Sequence, residues 1–494
     1  MFANISSVAI IGMDARPVDV EVDLAAAGIP EFNIVGLPSA AIREARQRVR
    51  AAIENSGLEW PKRKIIASLA PSDLRKDGAS LDLALAMGVL AAAGYINKEP
   101  RLAKFLFLGE LALDGHLRPV RGALAAAITA RDSGAEGIVV PIGNAAEAAL
   151  VSGVHVVGAD TLREVIAFTQ GGQCAVTPIP DIDSILLQGT KLSLDLSDVR
   201  GQAMARRALE IAAAGSHNLL MVGPPGCGKT MLAQRLPSIL PPMTAQEAFE
   251  VTHVWSIAGL LPPGKPLVTI RPFRSPHHHA SASAVIGGGT VTPRPGEVSL
   301  AHNGVLFLDE LPLYSTSILD GLRQPLEDGV VTVARIGATS RFPCKAALIA
   351  AANPCLCGER ECSCPTARLH AYKSRLSGPL LDRIDMFVQV DRLSEEELLE
   401  MQPSESSATV RQRVVRARGL HSERLSGDQV AIADLDRGAR RILASAFAGA
   451  AASARGFHRT IEVARTVANL AGSVTVDEGH VAEALMFRKM VWER

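Results

Sequence analysis

Gly223-Pro224-Pro225-Gly226-Cys227-Gly228-Lys229-Thr230 is the stretch whose reading decides the fold. Before it runs Asn218-Leu219-Leu220-Met221-Val222, short and apolar enough for a buried strand, and after it Met231-Leu232-Ala233-Gln234-Arg235-Leu236 reads as a helix. A G-x4-G-K-T segment between strand and helix is a phosphate cradle. Its glycines let backbone N–H groups converge on phosphate oxygens, and the helix N-terminus adds partial positive charge. Lys229 is expected to reach the β/γ phosphates and Thr230 to ligate Mg2+, so ATP and Mg2+ are the predicted cofactors. A plain Gly/Pro turn ahead of a helix would not require Lys-Thr directly after the last glycine.

Working outward, Val305-Leu306-Phe307-Leu308-Asp309-Glu310 is four apolar residues ending in two carboxylates. Carboxylates leaving the C-terminal end of a buried parallel strand stand where ligands bind in open α/β sheets. Asp309 is expected to hold Mg2+, and Glu310 to orient the attacking water. Leu348-Ile349-Ala350-Ala351-Ala352-Asn353 is a further buried strand ending in a polar residue, and Asn353-Pro354 also reads as a turn starter.

The 494 residues suffice for two to four domains with sizeable cores. Hydrophobic content of 48% against 21% charged residues leaves little room for long disorder. Fifty-one basic and fifty-one acidic side chains cancel, so any nucleic-acid contact must come from locally clustered arginines and lysines. No apolar run reaches the ~18 residues of a membrane span, and the N-terminus has no signal-peptide pattern. A cytoplasmic location is predicted. Seven cysteines, four of them between Cys355 and Cys364, fit a reduced compartment rather than a disulfide scaffold.

Residues 1–172 read as an α/β domain. Its strands are predicted around Val18–Leu24, Lys64–Leu69, Phe105–Glu110 and Gly137–Pro141, and its helices around Ala40–Glu54, Leu81–Gly94, Ala123–Ser133 and Asn144–Ser152. A Pro- and Gly-bearing passage, 173–194, reads as a linker. Residues 195–392 carry the phosphate-loop core with inserted hairpins, and 393–494 turn helical, as expected of a lid. Cys355-Leu356-Cys357 and Cys362-Ser363-Cys364 offer four thiols to Zn2+, although structural zinc pairs are usually spaced more widely; a cysteine-rich loop is the other reading. His277-His278-His279 is not read as a metal site, because neighbours on a helix or strand point apart.

Asp77-Gly78-Ala79-Ser80, Gly109-Glu110, Asp114-Gly115 and Arg118-Pro119-Val120 resemble the Lon-protease-like domain of magnesium-chelatase-like ATPases. Ser80 falls where the catalytic serine of active Lon proteases would be. The helix that should carry its lysine reads Gly122-Ala123-Leu124-Ala125-Ala126-Ala127, and a serine without a base is not a nucleophile. Ser80 is therefore read as structural.

Val199-Arg200-Gly201-Gln202, the phosphate loop, Pro295-Gly296-Glu297-Val298-Ser299-Leu300-Ala301-His302, Arg323-Gln324-Pro325-Leu326-Glu327 and Asn353-Pro354-Cys355 closely resemble the ComM/YifB group. These are magnesium-chelatase-like AAA+ ATPases of the helix-2-insert branch. The resemblance implies an N-terminal Lon-like α/β domain, a P-loop core with a parallel sheet, and an α-helical lid. It implies Val199 on the adenine side, Asn353 as the sensor-1 amide, and Arg383 of Gly378-Pro379-Leu380-Leu381-Asp382-Arg383 as an arginine finger, with Arg375 in reserve. Arg455 is the implied sensor-2 residue, with Arg459 as alternative. Members implicated in natural transformation act as hexameric DNA helicases in branch migration, so a self-assembled ring, hexameric in that group's manner, and a DNA partner are expected. Arg294, Arg335 and Arg341, in two predicted hairpins, are the candidate phosphate contacts.

Overall fold

The computed structural model describes residues 1–494 except 26–28, 38, 73–75, 77, 97–99, 173, 175, 190–192, 263, 290–291, 336–337, 359–361, 377, 394–403, 425–433, 449–453 and 489–494. Asp77 lies outside the described residues, as do 290–291 and 336–337 of the two hairpins and parts of the proposed linker and lid.

The chain opens with a long antiparallel hairpin, Phe2–Ile11 against Asp14–Leu24. Val18, Val20, Val22 and Leu24 alternate inward, the period that defines a half-buried strand. Ile65–Ala70 pairs antiparallel with the second strand, and Phe32–Val35 adds in parallel. The first strand has no clear sequence signal, because Ile5-Ser6-Ser7-Val8 breaks the alternation; Ser7 is nonetheless buried, its hydroxyl donating to the Phe107 carbonyl at 2.6 Å.

The helix Asp82–Ala93 is buried on nearly every face, which explains its uniformly apolar sequence. A second sheet, Phe105–Phe107, Gly137–Pro141 and His155–Ala159, is wholly parallel. The expected strand Phe105–Glu110 stops at Phe107. The Gly109 N–H donates to the Ser80 carbonyl at 2.9 Å and its carbonyl accepts from Leu83 N–H at 3.0 Å, so the chain turns to meet the start of the buried helix. Within the passage read as a linker, Ile182–Gln188 is a helix capped by Asp181, whose side chain accepts from Ser184 N–H.

Five parallel strands form the next sheet, ordered Phe273–Arg274, Val305–Leu308, Ala347–Ala352, Leu219–Val222, Met386–Gln389. Every residue of its three central strands is buried, as a sheet covered on both faces requires. The strand ending at Ala352 lies between the phosphate-loop strand and the strand ending at Leu308. Three functional segments therefore leave adjacent strands at the same end.

Helices Ser407–Arg424, Arg437–Phe447, Ala454–Ala471 and Glu478–Met486 follow. Val410, Val414 and Ala417, one stripe of the first of these, share a core with Leu209 and Leu236, from the helices on either side of the phosphate-loop strand. The N-terminal segment is fastened to the same body through Ser256: Gly122 N–H donates to its carbonyl at 3.1 Å, and its hydroxyl donates to the buried Glu147 carboxylate.

Candidate nucleotide site

The phosphate loop leaves Val222 and enters the helix Lys229–Ile239. Gly226 and Gly228 adopt φ of +78° and +96°, a region side chains avoid, and a Cβ at either would meet nothing within 4 Å. Gly223 is needed for close approach: a Cβ there would sit 2.1 Å from the Val390 carbonyl oxygen. Gln202 and Arg392 grip the loop from outside, Gln202 Nε2 donating to the Cys227 carbonyl at 3.5 Å as well as to the Asp391 carbonyl at 2.5 Å, and Arg392 to the Pro225 carbonyl at 2.9 Å.

Lys229 is buried, and its ammonium donates to the carbonyls of Gly223 at 2.7 Å and Pro224 at 2.9 Å and to Asn353 Oδ1 at 3.1 Å. Thr230 Oγ1 donates to Asp309 Oδ2 at 2.8 Å. Asp309 Oδ1 accepts the Glu310 N–H at 2.9 Å, and Glu310 sits at φ +51°. That left-handed turn aims two successive carboxylates in different directions. A hydroxyl beside a carboxylate is the hard-oxygen pair that suits Mg2+, and the glycine cradle with a buried ammonium suits a triphosphate. The residues present fit both groups.

Two contributors, Tyr372 and Tyr314, carry no sequence signal of their own. Tyr372 donates its hydroxyl to the Asn353 carbonyl at 3.1 Å, and burial pushes its pKa up, so it stays a donor. Tyr314 donates to the Pro276 carbonyl, anchoring the histidine segment beside Asp309 and Glu310. His278 Nδ1 then lies 3.4 Å from Glu310 Oε2. The three histidines do converge, with His277 and His278 ring centroids 4.2 Å apart and those of His278 and His279 4.3 Å apart. They occupy a turn, where the divergence of helix and strand neighbours does not hold.

Val199 is buried beside the turn Leu196–Asp198, closed by a capping box from Asp195. Leu196 N–H donates to Ser407 Oγ at 2.7 Å, and Ser407 N–H to Asp195 Oδ1 at 3.0 Å. This segment is thus tied to the C-terminal helices.

The remaining predicted residues gather elsewhere. Arg383 is buried at the N-terminal end of the strand Met386–Gln389, opposite the end that carries the phosphate loop. Its guanidinium bonds Glu327 Oε2 at 2.8 Å and the carbonyls of Arg323 and Pro379. Arg455, exposed, reaches the other oxygen of Glu327 at 3.2 Å. Arg459 donates to the Arg383 carbonyl at 3.0 Å and pairs with Asp385. Arg375 is exposed and donates to the Pro312 carbonyl at 3.2 Å. Arg383, Arg455 and Arg459 thus form a second set around Glu327, apart from the one around Lys229, while Arg375 stands beside the segment that follows Glu310.

Arg294, Arg335 and Arg341 are all exposed. Arg294 lies on the short hairpin Gly287–Gly288 with Arg294–Pro295, and the other two on Val330–Arg335 paired with Ala338–Pro343. The hairpins touch, Arg335 Nε donating to the Gly289 carbonyl at 2.6 Å. Arg294 also lines a cleft of about 310 Å³ with Ser80, Glu110 and Arg121, and no lysine lines it among the described residues. Sγ atoms of Cys355, Cys357, Cys362 and Cys364 lie within 4.8 Å of one another. Among the described residues no helix is long and apolar enough to cross a membrane.

A parallel five-stranded sheet with a phosphate loop, a Thr-Asp pair and an intervening asparagine defines an AAA+ P-loop ATPase. Family models described as "Magnesium chelatase, subunit ChlI", "Subunit ChlI of Mg-chelatase" and "Magnesium chelatase, subunit ChlI C-terminal" match residues 195–398, 20–144 and 404–488. The chain is 41% identical over 509 residues to the competence protein ComM of Haemophilus influenzae, covering 99% of this chain and 98% of that one. It is also 41% identical over 493 residues to the uncharacterised protein YifB of Escherichia coli, covering 97% and 96%. A shorter similarity, 28% over 148 residues, joins 28% of this chain to 26% of Lon protease 2 of Bacillus subtilis. The chain belongs to the ComM/YifB family of magnesium-chelatase-like AAA+ ATPases.

Proposed function

We propose that this chain is an ATP-driven motor that works as a ring, a hexamer in the manner its resemblance implies, and moves on DNA in recombination or transformation. The observation that carries the ATPase part is the convergence of Lys229, Thr230, Asp309, Glu310 and Asn353 at one end of one sheet. Lys229 and the loop would hold the phosphates, and Thr230 and Asp309 would hold Mg2+, which would supply positive charge against the phosphoryl oxygens. Glu310 accepts a proton from the attacking water, and Asn353 fixes that water against the γ-phosphate.

Arg383 is assigned to the phosphates of the next subunit, because its own phosphate loop is a strand length away. Arg455 and Arg459 cluster with it and are placed on that same subunit boundary. The named role of the relative ComM in competence, together with adjacent hairpins bearing Arg294, Arg335 and Arg341, supports DNA as the partner. Residues 1–172 are taken as a non-proteolytic domain, 173–194 as its connection, 195–392 as the ATPase core and 393–494 as the lid; the whole acts in the cytoplasm.

The names of the matched family models favour a second reading, an ATPase that remodels a protein partner as a chelatase subunit does. DNA-stimulated hydrolysis and strand displacement, compared between wild type and Lys229→Ala, decide between them. Stimulation by DNA that is lost in the variant supports the motor; turnover and assembly both indifferent to DNA overturn it.

A further inference from the structure

The loop between the asparagine strand and the next helix carries the four cysteines, and its surroundings give the cluster a mechanical setting. Cys355 is buried and stands two residues beyond Asn353, while Cys364 is followed by Pro365, the cap of the helix Thr366–Lys373. The four sulfurs all fall within 4.8 Å of one another, and Cys355 Sγ and Cys357 Sγ are 3.2 Å apart. Four thiolates around a tetrahedral Zn2+ at about 2.3 Å place their sulfurs roughly 3.8 Å apart, so one ion fits with side-chain adjustments of about an ångström or less. None of the four is tied up in a disulfide.

The loop and the segments on either side of it meet the nucleotide site at three points. Gly358, at φ +67°, packs so closely on the phosphate loop that a Cβ would lie 2.5 Å from Pro225 Cγ. Tyr372, on the helix that leaves the cluster, holds the Asn353 carbonyl. Asn353 itself bonds Lys229. The asparagine thus stands between Cys355 on one side and the helix that follows Cys364 on the other, and among the described residues no hydrogen-bonded ladder joins Cys355 to Cys364.

We infer that Cys355, Cys357, Cys362 and Cys364 bind one zinc ion, and that this ion braces Asn353 and Pro225 so that the ATPase reaches its full turnover only when the metal is bound. The brace deepens the ATPase reading and rests on it; the metal site does not. Zinc joins Cys355 and Cys357 to Cys362 and Cys364 and so fixes the start of the helix bearing Tyr372 against the phosphate loop. Misplacement of a catalytic group by about 1 Å costs roughly 10²-fold in rate, so loss of the ion acts on turnover more than on binding.

The test uses the full chain purified under a thiol reductant, with zinc measured by mass spectrometry, ATP affinity by a fluorescent analogue and hydrolysis at saturating ATP. Wild type is expected to carry about one zinc per chain, and Cys357→Ser and Cys362→Ser, both at exposed positions, to lose it. In those variants kcat falls by about tenfold or more while nucleotide affinity changes by less than about threefold. Lys229→Ala keeps its zinc and loses nucleotide. Absence of zinc from wild type, with no uptake on titration with Zn2+ or Co2+, overturns the metal site. Zinc present in wild type, absent from the variants and without effect on kcat overturns the brace. Failure of wild type to hydrolyse ATP with zinc bound refutes the ATPase reading instead.

Discussion

Lys229 Nζ lies 3.1 Å from Asn353 Oδ1, linking residues that leave adjacent parallel strands 124 positions apart. The asparagine strand intervenes between the strands of the phosphate loop and of Asp309, and the side chain that ends it meets the ammonium. Lys229→Ala is expected to abolish ATP binding, whereas Asn353→Ala retains binding and loses about 10²-fold or more in kcat. Nucleotide titration alongside steady-state hydrolysis separates the two; equal losses of affinity would remove the water-positioning role of Asn353.

Thr230 and Asp309 share one hydrogen bond, but Glu310, on its left-handed backbone, contacts His278 rather than the threonine. Their substitutions should therefore differ. Asp309→Asn raises the Mg2+ concentration needed for half-maximal hydrolysis, while Glu310→Gln leaves that requirement unchanged and lowers kcat by about 10²- to 10⁴-fold, the usual range for a lost general base. Magnesium titrations of hydrolysis read both outcomes.

The phosphate loop, the apolar run before Asp309-Glu310 and the strand before Asn353 are legible in the sequence because each is local. A parallel strand buried on both faces is a continuous apolar run, and its functional residue follows directly in sequence. Long-range contacts leave no such trace. Nothing near Tyr372 announces that its hydroxyl caps the Asn353 carbonyl, and Gln202 reaches Asp391 across 189 positions. The three histidines converge against expectation for a related reason: the directions of successive side chains follow from backbone conformation, and these residues sit in a turn rather than in a helix or strand. Ser7 hides the first strand because a buried hydroxyl looks like an exposed one until its acceptor, the Phe107 carbonyl, is known.

Away from the site, Arg48 and Asp82 form an ion pair inside the N-terminal segment. Asp82 is 1% exposed and takes two bonds from Arg48, at 2.7 and 3.1 Å. Burial pushes its pKa up, and the guanidinium holds it down against that. Arg48→Ala removes the partner and leaves a buried carboxylate, at an expected loss of about 3–5 kcal/mol. The double change Arg48→Met with Asp82→Leu should recover most of it. Trp60, packed on Phe32 in this segment, reports the transition in denaturant once Trp255 and Trp492 are replaced by Phe.

Arg294, Arg335 and Arg341 should act on DNA through phosphates. Replacing all three with alanine is expected to weaken single-stranded DNA binding similarly for every sequence, and to flatten the dependence of log affinity on log salt by about 0.7 for each phosphate no longer neutralised. ATP hydrolysis without DNA stays near wild type, since none of the three is among the residues around Lys229. A salt slope unchanged in the triple variant would show that the hairpins do not bind the phosphates.

Arg383 tests whether the site is shared. It sits at the opposite end of the sheet from its own phosphate loop, and a four-residue strand spans roughly 13 Å, beyond the reach of a guanidinium already bonded to Glu327. If it serves a neighbour, Lys229→Ala and Arg383→Ala damage different halves of one composite site. Each variant alone should be inactive. Mixed in equal amounts under conditions that permit subunit exchange, they form boundaries at which an intact Lys229 meets an intact Arg383, and random mixing in a closed ring makes about a quarter of boundaries complete. Hydrolysis by the mixture should therefore recover toward about that share of wild-type turnover, with a steep dependence on protein concentration, whereas a site completed within one chain gives no recovery at any ratio. Because Arg383 also ties Glu327 to two backbone carbonyls, the thermal transition of Arg383→Ala is measured in parallel, and Arg375→Ala in the same mixture tells whether the exposed neighbour supplies the charge instead.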